Sequence, residues 1–150
     1  MKVTAYTDPR CPYGFNAQRQ DTQLLWHYGH AVEVERRMIV LDEHSVTYES
    51  RGFTREVFAR GNERLQLQYG MPMAATAPDR ISSSFDACRA YVGARMHAPD
   101  RADLLLRSLR RRHFSGDGEV LDEPATVRAA AADAGIAKGG AHRMAERPRG

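Results

Sequence analysis

Cys11 stands in the stretch Thr7-Asp8-Pro9-Arg10-Cys11-Pro12-Tyr13-Gly14-Phe15. Before it runs Val3-Thr4-Ala5-Tyr6, which reads as a short strand, and after it Phe15 to Tyr28 reads as a helix closed by Gly29. A thiol at the mouth of a helix is chemically placed. The peptide dipoles and unpaired N–H groups of a first turn favour an anion, and the thiolate is the reactive form of cysteine. Pro12 suits that first turn, where a missing N–H costs nothing and a fixed φ is already right. Arg10 can hold a thiolate and Asp8 can oppose one, so their positions decide the sign. Tyr13 either shapes the approach of a substrate or packs as an aromatic. The candidate site is thus Cys11 as nucleophile, with Pro12, Tyr13 and Gly14 completing its motif.

Other chemistry has less support. Cys88 falls mid-helix on an apolar face, where a free cysteine behaves as a small hydrophobe, so a buried structural role is expected. His27, His30, His97 and His113 lie near expected helix ends, which favours a partly protonated ring. No pair of them has zinc-site spacing and no Cys-x-x-Cys accompanies them, so no metal site is expected. A glycine-rich phosphate loop is absent as well. The cluster Arg107, Arg110, Arg111, Arg112 and His113 ends a helix, where cations meet the negative end of the dipole, and it reads as a solvated helix terminus.

The elements that must position Cys11 follow in order. Ala31 to Leu41 alternates and thickens into a second strand, making a βαβ unit with the first. Asp42 to Arg51 is polar and loop-like. Thr54 caps a helix that runs to Gly70, with an interruption at Gly61-Asn62 as one reading. Met71 to Pro78 is a connector. Ser83 or Ser84 caps the helix of Phe85, Cys88, Tyr91, Val92 and Met96, which stops before Pro99. Asp100 to Phe114 is expected as a helix with Leu104, Leu105, Leu106 and Leu109 inward, broken by Ser115-Gly116-Asp117-Gly118. Asp122 is expected to cap a last helix, Pro124 to Ala134, stopped by Gly135. From Ala137 to Gly150 there is no periodicity and almost no large apolar residue, which reads as a disordered tail.

Strand, turn, Cys11-Pro12-Tyr13-Gly14, helix and a second strand resemble the DsbA-like thioredoxin family. The branch is that of the FrnE-like dithiol-disulfide isomerases and hydroxychromene-carboxylate isomerases. Tyr69-Gly70-Met71-Pro72-Met73, Ser83-Ser84-Phe85-Asp86-Ala87-Cys88-Arg89-Ala90 and His113-Phe114 leading to Leu121-Asp122-Glu123-Pro124 resemble that branch's helical insertion. The resemblance covers residues 1–136 and implies an α/β, thioredoxin-like, mostly helical fold with an incomplete sheet of two N-terminal strands. Residues 1–41 would be the βαβ part, 42–136 the helical insertion domain and 137–150 the tail. Two departures matter. The family returns to the sheet with two more strands, a final helix and a cis-proline loop opposite the cysteine, and none of these is encoded. Its oxidases and isomerases also use Cys-x-x-Cys, whereas position 14 is glycine, so Cys11 must act alone. A truncated or frame-shifted relative is one reading, and a short variant that completes its sheet as a homodimer is another.

The resemblance implies a monothiol thiol–disulfide oxidoreductase or isomerase, acting on protein or small-molecule thiols and disulfides. Glutathione is the candidate co-reactant, and no cofactor is required. The alternatives are a glutathione-dependent isomerase or transferase, whose members usually carry serine at the position of Cys11, and a non-catalytic relative. The 150 residues suffice for one domain. Net charge is +3, nearly all of it arginine spread among 19 acids, so no nucleic-acid partner is expected. With no apolar run of about 18 residues, no basic leader and two distant cysteines, the expectation is a cytoplasmic chain with no membrane partner.

Overall fold

A computed structural model describes residues 1–44, 46–74, 78–115 and 118–136; the expected tail and part of the expected break after Phe114 lie outside them. Strand β1 (Lys2–Thr7) runs parallel to β2 (Glu33–Met38), with Val3 opposite Val34, Ala5 opposite Arg36 and Thr7 opposite Met38. These form a two-stranded sheet among the described residues. Val3, Ala5 and Thr7 turn to the half-buried face, and Lys2, Thr4 and Tyr6 turn to solvent, as the period of two requires. The expected two strands are therefore present.

The expected helix after Cys11 is two pieces, α1 (Pro12–Asn16) and α2 (Gln18–Tyr28). Ala17 keeps helical angles, and hydrogen bonds run from its N–H to the Tyr13 carbonyl and from the Asp21 N–H back to its own carbonyl, so helical bonding continues across the break. Asp21 interrupts the apolar stripe of α2 for a reason visible only in space. Its carboxylate pairs with buried Arg36 of β2 at 3.0 Å, and Arg36 also pairs with Asp103 of α6 (Pro99–Phe114) at 2.6 Å. One guanidinium thus ties helix, strand and helix together.

The segment after β2 is not all loop, for it contains a short helix, α3 (Val46–Ser50). Aromatic contacts follow it: Tyr48 lies edge-on to Phe53 at 5.4 Å between centroids, and the two sit near Phe58. α4 (Arg55–Tyr69) runs uninterrupted through Gly61-Asn62. Thr54 Oγ accepts the Val57 N–H at its start, and Gly70 closes it at φ 72°, a left-handed angle that costs glycine little.

α5 (Phe85–His97), α6 and α7 (Pro124–Asp133) enclose the main core. Small residues of α5 and α7, Ala87, Ala90, Ala94, Ala130 and Ala131, let the helices approach, and Leu105, Leu109 and Leu121 fill the space fully buried. Leu104 is not inward as expected; it is 43% exposed, because the buried stripe of α6 runs Ala102, Leu105, Leu106, Leu109 and His113 at helical spacing. Glu123, not Asp122, occupies the N-cap position of α7. Asp122 is engaged elsewhere, with Arg80 at 2.6 Å and with the Ser83 N–H. No helix among the described residues is long and apolar enough to cross a membrane.

Candidate active site around Cys11

Cys11 is the N-cap of α1, half-buried, and its Sγ accepts the Gly14 N–H at 3.4 Å. Pro12 takes the first helical position as its fixed φ allows. Tyr13 is largely exposed and meets Tyr69 edge-on at 6.4 Å, so it is a surface aromatic beside the thiol's helix. Phe15 and Phe114 stack at 5.2 Å and pack with Leu65 and Met73, joining α1 to α4 and α6. This cluster anchors the thiol-bearing turn.

The loop before Cys11 is held by a fully buried carboxylate. Asp8 Oδ1 accepts the Arg10 N–H at 2.6 Å, while Oδ2 accepts the Leu41 N–H at 2.9 Å and the Ser84 hydroxyl at 2.6 Å. The sequence reading set Asp8 against a Cys11 thiolate, but its carboxylate is directed to the start of α5, where Cys88 Sγ lies 3.7 Å from it. Burial first, and Asp8 second, push the Cys88 thiol well above the usual thiol range. Cys88 is thus the buried, structural cysteine that was expected.

Arg10 is likewise committed elsewhere. Its guanidinium pairs with buried Asp42 at 2.8 Å and lies over the Tyr48 ring at 4.6 Å. The cation beside the Cys11 motif is instead Arg110. It is 2% exposed, its Nη2 donates to Thr7 Oγ1 and lies 3.4 Å from the Asp8 carbonyl, and its Nε has no partner. Burial lowers the Arg110 pKa to about 10, with Cys11 the largest of the influences that raise it again.

Gly14, where the resemblance drawn from the sequence would place a second cysteine, faces this guanidinium. A Cβ there would stand 2.7 Å from Arg110 Nη2 and 2.9 Å from Thr7 Oγ1. The space of a side chain at 14 is already occupied. Gly14→Ala is therefore expected to lose about 1–3 kcal/mol through overpacking, against a helix-propensity gain of about 1 kcal/mol. Urea unfolding checks this, and the loss should shrink in the Gly14→Ala/Arg110→Ala double variant.

The arginine cluster is consequently not a simple solvated helix end. Arg110 and His113 are buried, Arg112 pairs with Glu119 at 2.6 Å and Asp133 at 2.9 Å, and Arg107 and Arg111 remain exposed. Burial lowers the His113 pKa to about 4, opposite to the protonated ring expected at a helix end, and its Nδ1 is 2.9 Å from the Glu119 carbonyl. A signal for Arg110 was present in the sequence, since Ala102, Leu106, Arg110 and Phe114 recur every four residues along one face of α6.

No protein-family model and no curated protein matches the sequence. Solved structures do match. A Nitrosomonas europaea protein assigned as a disulfide isomerase superposes with a TM-score of 0.78 at 16% identity, over 97% of this chain and 70% of that one. The fold is that of the DsbA-like proteins. The cytosolic disulfide reductase DsbM from Pseudomonas aeruginosa, in a structure with GSH, gives a TM-score of 0.71 at 16% identity over 96% of this chain and 70% of its own. A 2-hydroxychromene-2-carboxylate isomerase gives 0.69 at 16% identity over 96% and 70%.

Proposed function

We propose that the chain performs thiol–disulfide exchange through Cys11 alone, with glutathione as the external thiol. The observation that carries this reading is the half-buried Cys11 Sγ at the N-cap of α1, receiving the Gly14 N–H, while Cys88 is sealed in the core. Solved DsbA-like structures of disulfide-exchanging proteins, one of them with GSH, support it.

The Cys11 thiolate attacks one sulfur of a disulfide R–S–S–R′; the Cys11–S bond forms and R′S⁻ leaves. A glutathione thiolate then attacks the Cys11 sulfur and displaces RS⁻. A second attacks the glutathione sulfur, freeing Cys11 and leaving oxidised glutathione. Two glutathiones are oxidised for each disulfide reduced, and the two protons lost by their thiols are taken up by RS⁻ and R′S⁻. No second protein thiol is needed.

Oxidised glutathione is the direct probe. Peptide mass spectrometry after its addition to the native chain should find a mixed disulfide at Cys11, none at Cys88, and release by reduced glutathione. Labelling of both cysteines, or of neither, would remove the proposal. The isomerase-like alternative predicts saturable glutathione binding that persists in Cys11→Ser without a disulfide, which the fold shared with the chromene isomerase favours.

A further inference from the structure

We propose that the cleft between α2 and α6 is a binding site for a small organic carboxylate, with Arg110 at its inner end. The inference stands apart from thiol exchange, because Cys11 is not among the residues that line the cleft.

The cleft has a volume of about 390 Å³ and is lined by Arg19, Arg36, Arg107 and Arg110 together with Asp21 and Asp103. That is the size of a small-molecule pocket. Both aspartates are engaged by Arg36. Arg19, Arg107 and Arg110 have no carboxylate within ion-pair distance among the described residues. The charge facing the cleft is thus an excess of cations with their counter-ions missing.

Arg110 makes this more than a basic surface. A buried guanidinium without a carboxylate is costly, and an anion in contact with it relieves that cost. One hydroxyl oxygen, of Thr7, and one carbonyl oxygen, of Asp8, accept from Nη2, and the buried Nε is left without an acceptor. Burial lowers the Arg110 pKa to about 10, and the more distant charges of Cys11, Asp21 and Asp8 raise it without offsetting that burial. A planar carboxylate matches a guanidinium better than a spherical ion does. Leu25, Leu104 and Met71 give the cleft apolar walls, so the carboxylate is one carrying a short apolar body. Arg19 and Arg107, both exposed, stand in the same lining and attract it.

Isothermal titration of the full chain with hexanoate, its neutral isostere hexanamide, and sulfate tests the assignment. Hexanoate should bind at least about tenfold more tightly than either control. Arg110→Met should weaken hexanoate binding by about tenfold or more, with Arg110→Lys restoring part of it. Should Arg110→Met fail to fold, the exposed double variant Arg19→Gln/Arg107→Gln keeps the test alive, with a loss of about threefold or more expected from rim charges. Cys11→Ser, which ends thiol exchange, should retain hexanoate binding. Equal binding of hexanamide or of sulfate, undiminished binding in the arginine variants, or loss of binding in Cys11→Ser would each overturn the proposal.

Discussion

Asp8→Ala is expected to lose about 3–5 kcal/mol of unfolding free energy, the range for removing one member of a buried charged cluster. Besides the longer contact from the Cys88 thiol, its carboxylate receives three N–H and O–H donors from three parts of the chain, and alanine leaves the Arg10 N–H, the Leu41 N–H and the Ser84 hydroxyl without their acceptor at a fully buried position. Asp8→Asn should recover only part of the loss, because both carboxylate oxygens accept and an NH₂ would face a donor at one of them. Chemical denaturation of the two variants beside the parent measures the difference. A loss below about 1 kcal/mol in Asp8→Ala would mean the three donors have other acceptors. Relief of the burial partner at Cys88 gives an independent sign: its thiol, held high in part by Asp8, should ionise at lower pH in Asp8→Asn than in the parent.

Cys11→Ser is expected to lower disulfide reduction in the presence of glutathione by roughly 100-fold or more, equivalent to about 3 kcal/mol of barrier. A serine hydroxyl at the same N-cap keeps the Gly14 N–H satisfied, and so keeps the fold. What it lacks is an ionisable sulfur able to form the mixed disulfide. Cys88→Ala is the matched control. Cys88 is 3% exposed, so removing its sulfur should alter stability and leave exchange in place. Activity that survives Cys11→Ser and falls in Cys88→Ala would reverse the roles given to the two thiols.

The parts of the fold that local chemistry dictates were legible in the sequence. Alternation exposed both strands, Thr54 and Gly70 bounded α4, and Cys11-Pro12 marked the start of α1. What was hidden depends on partners distant in the chain. Asp21 and Leu104 broke apparent stripes because Arg36 draws the acid toward β2 and the buried face of α6 is turned away from Leu104. Arg10 and Asp8 flank Cys11 in sequence yet face Asp42 and Ser84, while the cation near the thiol comes from residue 110. Composition classes arginine as a surface residue, and only its recurrence with Ala102, Leu106 and Phe114 betrayed a buried place. The glycine at 14 carried the same message in reverse: it vacates room that a guanidinium fills.

The lock around Asp8 also has a consequence in time. Its side-chain partners Leu41 and Ser84 are separated from it by 33 and 76 residues, and Arg10 reaches Asp42 across 32. Such closures lose chain entropy before they return any energy, so they lag behind helices built from local contacts. The turn that presents the thiol is therefore expected among the last pieces to assemble as the chain folds. In a chain still emerging from synthesis, the fixed geometry around Cys11 is expected to be missing until α5 has docked and supplied Ser84.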